Sequence, residues 1–416
     1  MTAGESNTPA ILHWGSQTVR VLMGILLFLT PFYSLTTPKE FCFYLALLLV
    51  IGLTLFYKNR VFSFDSPLLL PFLLFISWAC LGLISALNRE NSVHDIFLHL
   101  FKYLAIYYMV LNFFNSRRLF LVLSWVFVTS ASIFSFGALI YFYLILGNPP
   151  ATLFRIHNYI YGYFHFWTVF ASLLAVQLLF EDYRWRRRLF LLFSLCAMVL
   201  IVILSQTRSA LVAIAVGLLV YFLKNIKISI FLVVFTVISF FVISSMSNRL
   251  SLSTIQDHIN VRIGITYLFF EMFKDHPLAG VGFGMQTYDD PALLNKYNQR
   301  VPLQFRQDPP VRIPHNLFTD VAVRVGGVGL AFFLFLLGRF MKTGWILVNQ
   351  GRDEFIRKWS LSLMGAFFAF LINAMAMDAT FGVQAVVFYS LLAMMTVLWR
   401  IQKLPGNPAF SETKAA

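Results

Sequence analysis

Runs of about 20 apolar residues, separated by short polar breaks, recur along nearly the whole chain, and one long polar interval, 246–314, interrupts them. A helix crossing the hydrocarbon of a bilayer needs roughly 20 apolar residues. Lipid offers no partner to an open backbone group, so such runs read as helices, whereas a barrel would show short strands of alternating hydrophobicity. The pattern places helices near 17–35, 41–57, 67–87, 94–114, 119–146, 161–180, 189–204, 209–223, 228–245, 315–338, 359–377 and 382–399, about twelve in all. The expected fold class is all-α: a polytopic integral membrane protein, one membrane domain over 1–416, with a loop at 246–314 between the ninth and tenth helices.

Composition agrees. Of 416 residues 59% are hydrophobic and only 12% charged, too little polar surface to cover a soluble globule of this size. Met1 to Gly15 carries no basic n-region and no small-residue cleavage site, so the first helix is expected to double as the insertion signal. The net charge of +14 is unevenly distributed. With a cytoplasmic N-terminus, the inside connections hold Lys58, Arg60, Arg117, Arg118, Arg184, Arg186, Arg187, Arg188, Lys224, Lys227, Arg339, Lys342, Arg352, Arg357, Lys358, Arg400, Lys403 and Lys414. The short outside connections hold only Lys39, Arg89, Arg155 and Arg208. This asymmetry follows the positive-inside rule and puts both termini in the cytoplasm and the long loop outside it. Basic residues on the far side therefore lie away from nucleic acid. Cys42, Cys80 and Cys196 each fall within a predicted helix, show no C-x-x-C spacing, and read as small packing residues.

Chemistry concentrates at the outer boundary. Ser205-Gln206-Thr207-Arg208-Ser209 reads as a tight polar turn between two apolar runs. An arginine stranded at the bilayer centre costs about 2.5–3.5 kcal/mol, and much less near an interface, so Arg208 calls for an anionic partner. Either a lipid headgroup or the phosphate of a lipid-linked substrate meets that need. Residues 260–274 carry apolar positions at helical spacing and predict a helix lying along the membrane surface, with Arg262 near its start. Pro277 to Gly284 reads as a structural turn, since a G-x-G pair without a preceding strand is a weak phosphate-loop signal.

Pro314 suits a first helical turn, which puts His315 at the start of the next apolar run. The positive end of a helix disfavours an imidazolium by about 0.3–1 kcal/mol, and a neutral imidazole is what a general base requires. The plainer reading is a boundary histidine that caps the helix or touches headgroups. Asp320 and Arg324, spaced i,i+4, predict an ion pair within one helix, and Lys102 is a further charge inside the membrane. His94 and His99, five apart on a predicted helix, are not expected to share a face; with no H-E-x-x-H pattern and Asp289-Asp290 alone in the loop, no metal site is expected. No Walker sequence is present, so no nucleotide or other cofactor is expected.

The blocks Ser205-Gln-Thr-Arg208-Ser-Ala, Arg262 followed by Pro277-Leu-Ala-Gly-Val-Gly-Phe-Gly284, and Pro314-His315-Asn316-Leu-Phe-Thr-Asp-Val-Ala-Val-Arg-Val-Gly-Gly together resemble the signature of the bacterial O-antigen ligase and polymerase superfamily. The motifs span roughly 200 to 335 and the topology resembles that family over the whole chain. The resemblance implies a GT-C-like membrane glycosyltransferase of the bacterial inner membrane, with its active site facing the periplasm. In that family the donor is a glycan on undecaprenyl pyrophosphate and, for the ligases, the acceptor is a sugar hydroxyl of lipid A-core. It further implies that Arg208 and Arg262 hold the pyrophosphate and that His315 is the base. Arg312, Arg155 and Asn316 are expected as secondary acceptor-phosphate or orienting groups. The related O-antigen polymerase is the alternative within the family, and a secondary transporter the alternative outside it; the gathering of polar groups at one face, rather than at the midplane, disfavours transport.

Overall fold

The computed structural model describes residues 10–57, 62–149, 164–181, 184–205, 207–223, 225–230, 234, 252–377 and 379–403, except the side chains of 252–255 and 258. Among the described residues all regular structure is helical. In chain order the helices are α1 (Ala10–Leu29), α2 (Thr36–Tyr57), α3 (Leu69–Ile84), α4 (Arg89–Phe113), α5 (Arg117–Ile145), α6 (Phe164–Glu181), α7 (Trp185–Leu204), α8 (Arg208–Tyr221), α9 (Leu252–Asp275), α10 (Pro291–Asn298), α11 (Leu317–Gln350), α12 (Glu354–Ala374) and α13 (Gly382–Lys403). Among the described residues nine are long and apolar enough to cross a membrane, while α3 and α8 are shorter apolar helices. These nine and two fall on eleven of the predicted segments; the predicted helix 228–245 lies largely outside the described residues. The chain is an all-α, polytopic membrane protein.

Two ends of the bundle separate cleanly. At one end Arg117 pairs with Asp353, Arg400 donates to the carbonyls of Asp65 and Ser63 and to Asn112 Oδ1, and the Arg352 amide donates to Gln402. These are connections the charge pattern assigns to one side. At the other end Lys102 pairs with Glu40, and the segment from Asn91 to Asp95 is bonded to residues 284–286.

Several boundaries differ from the sequence reading. The tenth predicted helix, expected over 315–338, runs from Leu317 to Gln350. Arg339 and Lys342 read as loop residues, yet a helix can carry charge once it leaves the hydrocarbon. At 34 residues α11 spans about 50 Å, well beyond a core of roughly 30 Å. It is also broken: Gly326 has φ 71° and ψ −178°, so a short first segment carries residues 317–325. In α4, residues Ile96–Phe101 form a π turn. The ring nitrogens of His94 and His99 lie 3.2 and 3.6 Å from the same Asp95 oxygen, reached from one and four residues away.

The long interval is a folded cap where it is described. Its α9 covers the helix expected over 260–274 and starts earlier, at Leu252. Ile265, Leu268, Phe269 and Met272 of α9 bury against Tyr288, Leu294, Tyr297 and Val323, a second hydrophobic core apart from the main one between the spans. Arg300 donates from Nη1 to both carboxylate oxygens of Asp275 at 2.9 Å and fastens the end of α9 to the chain after α10.

Candidate functional site

The packing of α8 on α12 sets the geometry. A Cβ at Gly365 would lie 2.5 Å from the Gly217 carbonyl oxygen, so two backbones touch where two small residues face each other. Eight residues along each helix from that contact, Ser209 Oγ donates to Asn373 Oδ1 at 2.9 Å. The equal step from Gly217 to Ser209 and from Gly365 to Asn373 keeps the antiparallel helices in register, and it carries the first turn of α8 to the last turn of α12.

Arg208 is the first residue of α8, half-buried, with Thr207 as N-cap. The sequence reading put it in the turn itself, one residue before a helix starting at 209. A cation at a helix N-terminus is disfavoured by about 0.3–1 kcal/mol, whereas an anion is favoured there, so arginine and helix end together present positive potential to whatever sits in front of them.

The start of α11 reaches the same place. Asn316, not Pro314, begins the helix: its Oδ1 accepts from the amides of Phe318 at 3.0 Å and Thr319 at 3.1 Å. Its Nδ2 donates to the Met375 carbonyl at 3.3 Å, one residue beyond the end of α12. Both ends of this amide are engaged by the chain itself, so its geometry suits orienting rather than gripping a ligand. His315 therefore precedes the helix instead of lying in its first turn. It is half-buried and has φ 51°, the left-handed region that a side chain with a Cβ seldom adopts. The N-termini of α8 and α11, with Arg208 and His315, are thus both fastened to the end of α12.

Behind His315 the first segment of α11 is anchored by charge. Asp320 and Arg324, 1% and 2% exposed, pair at 3.4 Å as their spacing predicts. The pair does not stand alone. Thr380 Oγ1 donates to Asp320 Oδ2 at 2.8 Å, Tyr288 donates to Oδ1 at 3.3 Å, and Arg324 Nε donates to the Phe283 carbonyl at 2.8 Å. The guanidinium lies 4.2 and 4.5 Å from the ring centroids of Phe283 and Phe381. The turn 277–284 is structural, as its weak signal suggested. Its amides at Val281 and Gly282 donate to the carbonyls of Val323 and Arg324, and its carbonyl at Pro277 accepts from Gly327. The turn thereby takes up backbone groups freed by the break at Gly326.

Arg262 and Arg312 make no described contact with Arg208 or His315. Arg262 is exposed on α9, in a shallow groove with Ile259, Ile263, Thr266, Tyr267 and Phe270. Arg312 is exposed and lies 3.5 Å from Asp289. Arg155 lies outside the described residues. A cavity between α4, α11 and α13 is bordered by His99, Tyr103, Arg324 and Thr380 among apolar side chains, and at about 40 Å³ it holds a few waters at most, not a sugar. Among the described residues no three His, Cys, Asp or Glu side chains are placed to hold a metal ion.

Two contributors escaped the sequence reading. Asn373 is fully buried, and its Nδ2 finds no partner among the described residues. An asparagine inside an apolar span was the available signal, since intramembrane polar groups seldom occur without a role. Thr380 carried no such mark.

Residues 192–334 match the family model described as O-antigen ligase. The chain is similar to the O-antigen ligase and polymerase superfamily over this segment, which holds Arg208, Arg262, Arg312, His315 and Asn316 but neither Arg155 nor Asn373. No curated protein matches the chain.

Proposed function

We propose that this protein is an O-antigen ligase of the bacterial inner membrane, which transfers a glycan from undecaprenyl pyrophosphate to a sugar hydroxyl of lipid A-core at the periplasmic face. The observation that carries the reading is the meeting of α8 and α11, whose starts lie in the segment similar to the O-antigen ligases, at the end of α12, through Ser209–Asn373 and Asn316–Met375. The acceptor oxygen attacks the anomeric carbon as its proton passes to His315, and the bond from that carbon to the pyrophosphate breaks with inversion. The donor brings its own leaving group, so no nucleotide is consumed. Arg208, at a positive helix end, neutralises charge developing on the departing pyrophosphate. Arg262 serves the same carrier from the cap: a cation bordered by Ile259, Ile263, Tyr267 and Phe270 suits a charged group on a prenyl chain. Arg312 and Arg155 are assigned to the acceptor's phosphates, and Asn316 to orienting His315.

Deletion of the gene tests the reading. Loss of a ligase leaves lipid A-core uncapped while long glycans build up on the carrier. Caps of a single repeat would instead assign the related polymerase activity, and unaltered long-chain lipopolysaccharide would exclude both.

A further inference from the structure

A groove of about 960 Å³ runs between α5 and α7 on the outside of the bundle, at the upper end of the usual range for ligand sites, about 300–1,000 Å³. One end is bordered by Arg118, Arg186 and Arg187, and the rest by apolar side chains including Val122, Trp125 and Phe190. No carboxylate borders it among the described residues. The neighbouring Arg117 is turned away to Asp353, whereas Arg187 lies over the Trp125 ring, 5.8 Å from its centroid. The position-to-position distance also has meaning. From Arg118 to Thr129, the far limit of the groove on α5, the helix rises about 16 Å, close to half of a roughly 30 Å hydrocarbon core.

We propose that this groove is a binding site for an anionic glycerophospholipid, its phosphate held by Arg118, Arg186 and Arg187 and one acyl chain lying along Val122, Trp125 and Phe190. The positive-inside distribution explains why basic residues gather at this end of the bundle, but not why three of them close one end of an apolar channel one leaflet long. Basic pockets between spans are the chemistry that selects anionic headgroups. The site lies at the Arg117–Asp353 end, opposite Arg208 and His315, and so is separate from the proposed transfer site and does not depend on it.

Titration of the full-length protein in detergent with dioleoylphosphatidylglycerol, dioleoylphosphatidylcholine or inorganic phosphate, read by native mass spectrometry, tests the site. The expected result is a preference of about tenfold or more for phosphatidylglycerol over phosphatidylcholine, with no competition from millimolar phosphate. At about fivefold per basic side chain, R118Q/R186Q/R187Q lowers that affinity by about a hundredfold. R184Q/R188Q, on the same helix end but outside the groove, leaves it unchanged. V122W/T129W, which fills the channel and keeps the three arginines, lowers it as well and decides the matter if the triple variant does not fold. Unchanged binding in V122W/T129W or in the triple variant overturns the proposal. So does an equal loss in R184Q/R188Q, which would indicate diffuse charge, or full competition by phosphate, which would indicate a free-anion site.

Discussion

Arg324 Nε donates to the carbonyl of Phe283 at 2.8 Å, and the same guanidinium lies over the Phe283 ring. One side chain thus binds the broken helix α11 to the turn that covers the break, and it also pairs with the buried Asp320. Arg324→Met leaves that carboxylate buried without its cation. Loss of one partner of a buried pair costs about 3–5 kcal/mol. The expected outcome is a large drop in melting temperature by detergent-phase calorimetry, with part of it restored in Asp320→Asn/Arg324→Met. A double variant no better than the single one would show that Phe283, not Asp320, is the partner that matters.

Gly326 is the second fixed point. Its φ of 71° disfavours any side chain, and a Cβ there would lie 2.0 Å from the Leu278 carbonyl oxygen, a backbone atom unable to move aside cheaply. Gly326→Ala is expected to destabilise the protein by several times the roughly 1 kcal/mol that an ordinary left-handed alanine costs, and to abolish transfer by shifting the start of α11. Gly338→Ala, where nothing lies within 4 Å of the added methyl, is the control and is expected to leave activity unchanged and melting temperature unchanged or slightly raised.

The helices were legible because lipid forces long apolar runs to be helical, and the Asp320–Arg324 pair because i,i+4 spacing on a helix is local information. Their partners were not. Thr380, Phe283 and Tyr288 reach Asp320 and Arg324 from distant stretches of chain, and nothing in local spacing announces that. The start of α11 was misplaced by two residues because Pro314 was given its favoured helical position, while the stronger cap, Asn316 with free amides two and three residues on, won. His94 and His99 both reach Asp95, a shared contact that their own five-residue spacing did not suggest. For the candidate site, Arg208 and His315 could be proposed from the sequence, but the meeting of their helices could not, because it depends on the Gly217–Gly365 contact between helices remote in sequence. Arg262 was grouped with Arg208 by resemblance; no described contact joins them.

The roles proposed for adjacent residues at the start of α11 are separable by substitution. Asn316→Ala removes a cap and an orienting contact, and is expected to cost about 1 kcal/mol of stability and to lower transfer less than loss of His315 does. His315→Gly relieves a left-handed side chain and adds chain entropy, two effects of about 1 kcal/mol each that offset one another. Its melting temperature is expected to stay near that of the unaltered protein while transfer is lost. Melting curves and a glycan-transfer assay on the same preparations check both, and the reverse pattern would assign the chemistry to Asn316.

The cap has its own acid limit. Hydrogen bonding to Arg300 holds the Asp275 carboxyl below its ordinary value of 3.8, so the folded form binds its proton less readily than the unfolded chain. That contribution is complete above the ordinary value and fades as pH falls through the depressed one. Asp275→Asn is expected to flatten the decline of cap stability below about pH 4, followed by proteolysis of the 252–316 segment. An identical acid profile in the variant would assign the decline to other groups.

Reconstituted protein supplied with undecaprenyl-pyrophosphate-linked glycan and lipid A-core gives the decisive reading, a rate of capped product together with donor affinity on the same sample. For His315→Ala the expected result is a fall in rate of about 10²–10⁴-fold with donor affinity unchanged, and for Arg208→Ala a weakened affinity for the donor. Capping by His315→Ala at the unaltered rate, or donor binding by Arg208→Ala as tight as before, would contradict a transfer site built at the end of α12.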